Sequence, residues 1–412
     1  MSVEITLVRH GETTANVAGV WQGHTNSGFS PYGREQVKRL AERLAAESFD
    51  LVITSDLGRA AATAGALGVD YETDVRWREL HLGSWEGMTG EEIEEQDGAV
   101  AAAVLAGEDV AIGGGERISE LVGRLSSGFD DLVDRLEDGS RALVVSHGGA
   151  LLALFSTVFG GRMDDRLIRL TNTAVSRIEI DRHGTTVQVY NDNTHLPGAP
   201  LRIPDGSTEL IMVRHGQTEA NLDGRWQGHQ DGLLTPEGRE QARLLASVFP
   251  VVDAFYSSPL LRAYDTAVAL ADRQLAIVTT DPGLCEIGFG TWEGLTVSEI
   301  RKADRVGFDE LAAGIDEPRG GSGETFSGVA SRVAESAERI VTDHVGSVTA
   351  AVSHGGATRA YAAGVLGLDF SSRHRLGLLA NTAMARVAYG PRGPALAAWN
   401  LTPHLTVPAT AL

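Results

Sequence analysis

The 412 residues exceed one ordinary domain and suit two of about 150–250 residues each. With 42% hydrophobic and 22% charged residues the chain reads as a well-cored globular protein, and a formal net charge of −20 argues against nucleic acid or an anionic membrane as its main partner. Met1-Ser2-Val3-Glu4 leads straight into an apolar run, which leaves no room for a cleavable signal. No uncharged apolar run is long enough to span a bilayer, and the single cysteine, Cys285, excludes an internal disulfide, so a cytoplasmic protein is expected.

In chain order, a short β-rich run over 4–8 closes on Arg9-His10-Gly11 and continues Thr13-Thr14-Ala15-Asn16. Trp21-Gln22-Gly23-His24 comes next. Ser30 is an N-cap with proline at the first helical position, which predicts an amphipathic helix over 31–47. A strand over 51–54 precedes Arg59, and Glu79 opens the segment ELHLGSWEG. A helix over 116–136 and a strand over 142–145 lead to Ser146-His147-Gly148-Gly149; strands over 174–180 and 186–190 join around His183-Gly184.

The chain then starts again. His215 lies 205 residues after His10, as Trp226 lies 205 after Trp21. Arg214-His215-Gly216, Asn221, Trp226-Gln227-Gly228-His229, Arg262, Glu286 in EIGFGTWEG and Ser353-His354-Gly355-Gly356 repeat the first series in order. Predicted strands over 209–213, 254–256 and 349–352 and helices over 236–248 and 324–343 repeat the elements; Ser258-Pro259 reads as a cap with proline at the first helical position, placing Arg262 near a helix start. A unit this long is a duplicated domain rather than a solenoid repeat. Three prolines and two glycines between Pro197 and Gly206 predict a linker, so the expected division is 1–197, linker 198–206, and 207–412. The alternation of strands and helices implies an α/β fold in each half, a mostly parallel sheet flanked by helices.

In such sheets ligands bind where strands end, so His10 and His147 are placed to converge. Arg9 and Arg59 bring forked guanidiniums suited to phosphate, and the N–H groups at the helix after His147-Gly148 favour an anion. Two arginines, two histidines and helix amides make a pocket for a tetrahedral dianion, with Glu79 as the natural proton donor. His24 and His229 read as polar loop residues, Trp85 and Trp292 as packing or loop anchors, and Cys285 as a small semi-buried residue. No CxxC, HExxH or EF-hand spacing appears, so no metal site is expected.

Together these segments resemble the signature of the histidine phosphatase superfamily, also called phosphoglycerate-mutase-like: RHG near the N-terminus, an arginine in an SSxLxRAxxTA-type segment, a Glu before GxWEG and a late SHGG. The resemblance covers nearly the whole chain and implies two tandem phosphoglycerate-mutase-like domains. It implies His10 and His215 as nucleophiles, Glu79 and Glu286 as acids whose pKa should sit above the ordinary value, and His147 and His354 beside Arg9, Arg59, Arg214 and Arg262 as the phosphate cradle. Asn16 and Asn221 match the family asparagine near the phosphate. The implied activity is a phosphomonoesterase acting on small phosphorylated metabolites through phosphohistidine, without metal or cofactor, as a monomer with an intramolecular pseudo-dimer or as a homodimer. The alternatives are a phosphoglycerate-mutase-type phosphotransferase, or one active domain beside a binding or structural one.

The copies differ around the shared set. Between Met88 and Glu116, the segment that forms a cap over the pocket in this family, copy one has no Lys or Arg; the matching stretch of copy two carries Arg301, Lys302, Arg305 and Arg319. This predicts different phosphoester preferences, copy two taking the more anionic one. Departures at 26–30 make copy one the weaker candidate.

Overall fold

In the computed structural model, residues 2–161 and 166–405 are described, and contacts divide the chain into two compact units, Met1–Arg202 and Ile203–Leu412. The first unit runs β1 (Val3–Arg9), α1 (Thr14–Val17), α2 (Pro31–Leu44), β2 (Leu51–Thr54), α3 (Gly58–Gly65), β3 (Glu72–Thr73), α4 (Gly90–Leu105), α5 (Ile118–Asp134), β4 (Arg141–Ser146), α6 (Gly148–Val158), β5 (Val175–Asp181) and β6 (Gly184–Asp192). The second unit opens with β7 (Thr208–Arg214), α7 (Glu219–Leu222), α8 (Pro236–Val248), β8 (Ala254–Ser257), α9 (Leu261–Asp272) and β9 (Val278–Thr280). It continues with α10 (Val297–Ala303), α11 (Arg305–Ala312), α12 (Phe326–Asp343), β10 (Val348–Ser353), α13 (Gly355–Val365), β11 (Met384–Gly390) and β12 (Gly393–Leu401).

Within unit 1 the strand order is β3-β2-β4-β1-β5-β6, parallel from β3 to β1 and antiparallel across β5. Unit 2 repeats it as β9-β8-β10-β7-β11-β12. This is the expected α/β architecture of a largely parallel sheet flanked by helices. The central strands are apolar on both faces, as a sheet covered on both sides requires. Val8, Val52, Val145 and Val175 form one core cluster with Leu40 and Leu44 of α2 and Ala60 and Ala64 of α3. Full burial of each such valine or leucine side chain stabilises by about 1.5–3 kcal/mol.

Ser30 and Thr235 cap α2 and α8 with proline behind them, as their sequence implies. Ser258 does not cap α9. That helix begins at Leu261 and its N-cap residue is Leu260, whose side chain offers no acceptor; the Ser258 hydroxyl, two residues earlier, accepts from Leu260 N at 3.3 Å and lies 2.8 Å from His354 Nε2. The first N–H of the helix is satisfied from another loop: Asp231 Oδ1 accepts from Leu261 N at 2.9 Å, and in unit 1 Asn26 Oδ1 accepts from Gly58 N at 3.2 Å. The 26–30 departure therefore leaves this cap intact.

Strand register aligns the ends that carry the histidines. Arg9 pairs with Ser146 and Arg214 with Ser353, so β1 and β4, like β7 and β10, end level. Residues 10 and 147, and 215 and 354, leave the sheet side by side. No helix among the described residues is long and apolar enough to cross a membrane.

Candidate active sites

The His10 and His147 rings lie 5.1 Å apart between centroids, as do those of His215 and His354, and all four are buried. Partner chemistry settles the tautomer of the first histidine in each pair. His10 Nδ1 lies 2.7 Å from the Gly11 carbonyl, which can only accept, so Nδ1 carries the proton. Arg59 Nε, which can only donate, lies 3.2 Å from His10 Nε2, so the lone pair is on Nε2. His215 repeats this with Gly216 O at 2.7 Å and Arg262 Nε at 3.3 Å. Burial, followed by the nearby arginines, holds both imidazoles well below the ordinary histidine range, so they stay neutral.

Arg59 and Arg262 are fixed by their own helix starts and by loop carbonyls: Arg59 donates to Gly23 O and Thr25 O, Arg262 to Gly228 O and Gln230 O. That is the use of the repeated Trp-Gln-Gly-His loop. Arg9 donates to Leu170 O at 2.5 Å and Arg214 to Leu379 O at 2.5 Å. Arg9 Nε, Arg214 Nε, His147 Nδ1 and His354 Nδ1 are buried and have no hydrogen-bond partner among the described residues. Buried polar nitrogens are rarely left so, and a tetrahedral anion in the cradle supplies the oxygens that would satisfy them.

Glu79 sits against the start of α6, where its carboxylate accepts from Gly149 N and Ala150 N at 2.9 Å and from Leu80 N at 3.0 Å. Glu286 accepts from Gly356 N, Ala357 N and Ile287 N at 3.2, 2.8 and 2.9 Å. The helix amides expected to meet a ligand are thus taken, in these two positions, by the glutamate itself. Gly149 is needed for the approach: a Cβ there would lie 2.6 Å from Glu79 Oε1. Asn16 and Asn221 stand one step back, each Oδ1 accepting from its capping Thr13 or Thr218 N–H and from Asn172 or Asn381 Nδ2. Asn221 still lines the cleft of unit 2.

Several contacts at these sites are not legible in the sequence. Ser55 and Ser258 bond Nε2 of His147 and His354 at 2.8 Å. Asn172 and Asn381 donate to the His10 and His215 carbonyls at 3.0 Å. Beside them Thr173 and Thr382 hold φ of 59° and 58°, a region costly for a β-branched residue. Arg124 and Arg332 donate to the carbonyls of Glu79 and Glu286, as do His24 and His229 if Nε2 carries the proton, locking the acid-bearing turn. The residues, though not their contacts, are marked in the sequence: each recurs at an offset close to that of the histidines. Trp85 and Trp292 are buried anchors whose indole N–H groups donate to Asp97 and Asp304 at the bend of the cap segment. Cys285 is half-buried, its thiol pushed up by burial, with Ser258 Oγ 3.7 Å away.

The cap cations of unit 2 do not serve as expected. Arg301 lies over Phe308, exposed Arg305 pairs with Asp309, buried Arg319 pairs with Asp316, and Lys302 is exposed. None of them lines the cleft, whose walls include Arg225, Trp226, Phe289 and Leu378. Arg225 is itself paired with Glu299 at 2.9 Å. The ground for expecting the more anionic ester in unit 2 is therefore absent. Among the described residues no three His, Cys, Asp or Glu side chains are grouped to hold a metal ion.

The family model of the histidine phosphatase superfamily (branch 1) matches residues 5–193 and again 210–402. A protein of Enterobacter sp. (strain 638) named "Probable phosphoglycerate mutase GpmB" is 35% identical over 210 residues, covering 48% of this chain and 97% of the relative. One of the same name from Serratia proteamaculans (strain 568) is 36% identical over 205 residues, covering 47% and 95%. Among solved structures, a mycobacterial glucosyl-3-phosphoglycerate phosphatase is 32% identical with a TM-score of 0.43, covering 47% of this chain and 98% of that one. A phosphoserine phosphatase of Entamoeba histolytica, bound to 3-phosphoglyceric acid, is 32% identical with a TM-score of 0.45, covering 48% and 99%.

Proposed function

The chain belongs to the histidine phosphatase superfamily, branch 1, and from that membership we propose that each unit is a metal-independent phosphomonoester hydrolase working through a phosphohistidine. The observation that carries the reading is the fixed tautomer of His10 and His215. Each is buried and neutral, with the proton on Nδ1 and the lone pair on the nitrogen that meets the cradle arginine.

When the phosphoryl group enters, its oxygens take the guanidinium N–H groups of Arg9 and Arg59 and the free Nδ1 of His147. Arg59 then releases His10 Nε2, whose lone pair attacks phosphorus. The P–O bond to the leaving group breaks as that oxygen takes a proton from Glu79. Water next attacks the phosphohistidine, Glu79 takes the water proton, and the P–N electron pair returns to Nε2. Positioning and charge stabilisation carry most of the rate. His215, Arg214, Arg262, His354 and Glu286 take the same roles in unit 2. Small phosphorylated metabolites are the proposed substrates.

The test compares wild type, His10→Ala, His215→Ala and the double variant on p-nitrophenyl phosphate with EDTA present. The double variant should lose activity by more than about 10³-fold. Activity surviving in it overturns the mechanism; full activity in a single variant shows that its unit is silent towards that ester. The names of the curated relatives favour one second reading, in which phosphohistidine passes its phosphoryl group to a phosphoglycerate rather than to water. Following 3-phosphoglycerate separates the two, since a mutase isomerises it and a phosphatase releases inorganic phosphate.

A further inference from the structure

Arg9 in unit 1 stands in a more positive surrounding than Arg214 in unit 2. Burial, then the positive charges of Arg202 and, after Glu79's opposing pull, Arg169, press the Arg9 guanidinium down to about 9, still a cation at neutral pH. On Arg214 only burial presses downward, and Glu286 acts against it. The residues responsible can be placed. Arg169 precedes Leu170, whose carbonyl holds Arg9, and its guanidinium carbon lies 5.5 Å above the Trp21 ring. The position matched to it, before Leu379, is Leu378, 67% exposed at the wall of the unit 2 cleft, where Trp226 stands for Trp21. Arg202 reaches back from the end of unit 1 to donate to Asn172 Oδ1 at 3.1 Å, and Asn172 in turn holds the His10 carbonyl. The position matched to Arg202, which follows His404 as Arg202 follows His195, is Ala411.

Among the described residues neither Arg169 nor Arg202 forms an ion pair with a carboxylate, although Glu12 is near enough to act on Arg202. Both arginines are exposed, and beside a cradle already holding Arg9 and Arg59 they add positive potential that favours negative charge on the ligand. We infer that Arg169 and Arg202 form a second anion site in unit 1, so that unit 1 takes phosphomonoesters whose organic part carries another anionic group, a carboxylate or a second phosphate. Unit 2, whose mouth holds Leu378 and Phe289 and whose one further wall arginine, Arg225, is taken up by Glu299, takes esters with an apolar organic part. The inference rests on the phosphatase reading for its assay and not for its binding chemistry.

The test uses the full chain with one nucleophile removed at a time. In His215→Ala, which leaves unit 1, the kcat/KM ratio of 2-phosphoglycolate over ethyl phosphate should exceed that in His10→Ala by about tenfold or more, as charge-assisted contacts give. The pair 1,3-propanediol bisphosphate and propyl phosphate makes the same comparison for a second phosphate, and the pair with the larger ratio assigns the group. Arg169→Leu and Arg202→Ala in the His215→Ala background should each lower the ratio about tenfold, through KM. Leu378→Arg in the His10→Ala background should raise it. Equal ratios in both single-site chains, or ratios unmoved by the two arginine variants, overturn the inference. Failure of the phosphatase reading shows separately, as no phosphate released from any ester by either single-site chain. The same ratio is then read as affinity, by calorimetric titration of wild type and Arg169→Leu with phosphonoacetate and with ethylphosphonate. Equal affinities in wild type overturn the inference there too.

Discussion

In unit 1 an arginine lies over Trp21; in unit 2 the matched position is Leu378, sharing the cleft wall with Trp226 and Phe289. Behind these rims the two units set arginine, histidine and glutamate in nearly the same geometry, to within 0.1 Å in the arginine–histidine contact and equal in the His–His separation. The difference teaches that the chemistry and the choice of substrate are carried by different layers. The inner layer is held by hydrogen bonds within the fold, each of which a substitution would break. At the rim, Arg169 and Leu378 hold none of these bonds, and that position is free to change charge.

The comparison can be broken or sharpened by measurement. The largest expected effect is on the acid: Glu79→Gln in the His215→Ala background, and Glu286→Gln in the His10→Ala background, should each slow alkyl phosphate hydrolysis about 10³-fold. A much smaller loss in one unit, in steady-state assays, would show that the inner layers are not equivalent. Next, Arg59→Ala or Arg262→Ala in the same backgrounds should cost about 10²-fold in kcat, the loss of one guanidinium stabilising the transition state. Ser55→Ala and Ser258→Ala should cost about tenfold each, since one hydrogen bond orients His147 or His354; kcat with unchanged KM is the diagnostic.

Smaller still is the helix start. Asn26→Ala and Asp231→Ala should each lower stability by about 1 kcal/mol in denaturant titrations, with the aspartate the costlier loss because its charge faces a helix N-terminus. The least change is expected with pH. The folded-state pKa values of His10 and His215 are lowered, so both remain neutral well below the ordinary value of about 6.5. Once corrected for substrate ionisation, kcat/KM in either single-site chain should show no acid limb near 6.5, and a limb there would place a protonatable nucleophile in that unit. The same sign applies to stability. The unfolded chain takes up protons at these histidines below about pH 6.5 while the folded units do not, so the melting temperature should fall as pH drops below that value.

From the sequence alone came the duplication, the alternation of strands and helices, the family, and the two sets of histidine, arginine and glutamate that the fold then brings together. These are legible because they are local. Apolar runs, cap residues and glycine-bearing motifs act over a few neighbours, and the second copy confirms each one. Tertiary structure decided what depends on meetings between distant segments. Ser258 faces His354, 96 residues away, instead of capping its own helix. The first amides of α6 hold Glu79, 70 and 71 residues back, and Arg202 meets Asn172 across 30. The charge of each cleft belongs to this second class. It is set by which guanidiniums reach the strand ends and which are taken up by nearer carboxylates, and counting cations along the cap segment could not distinguish the two.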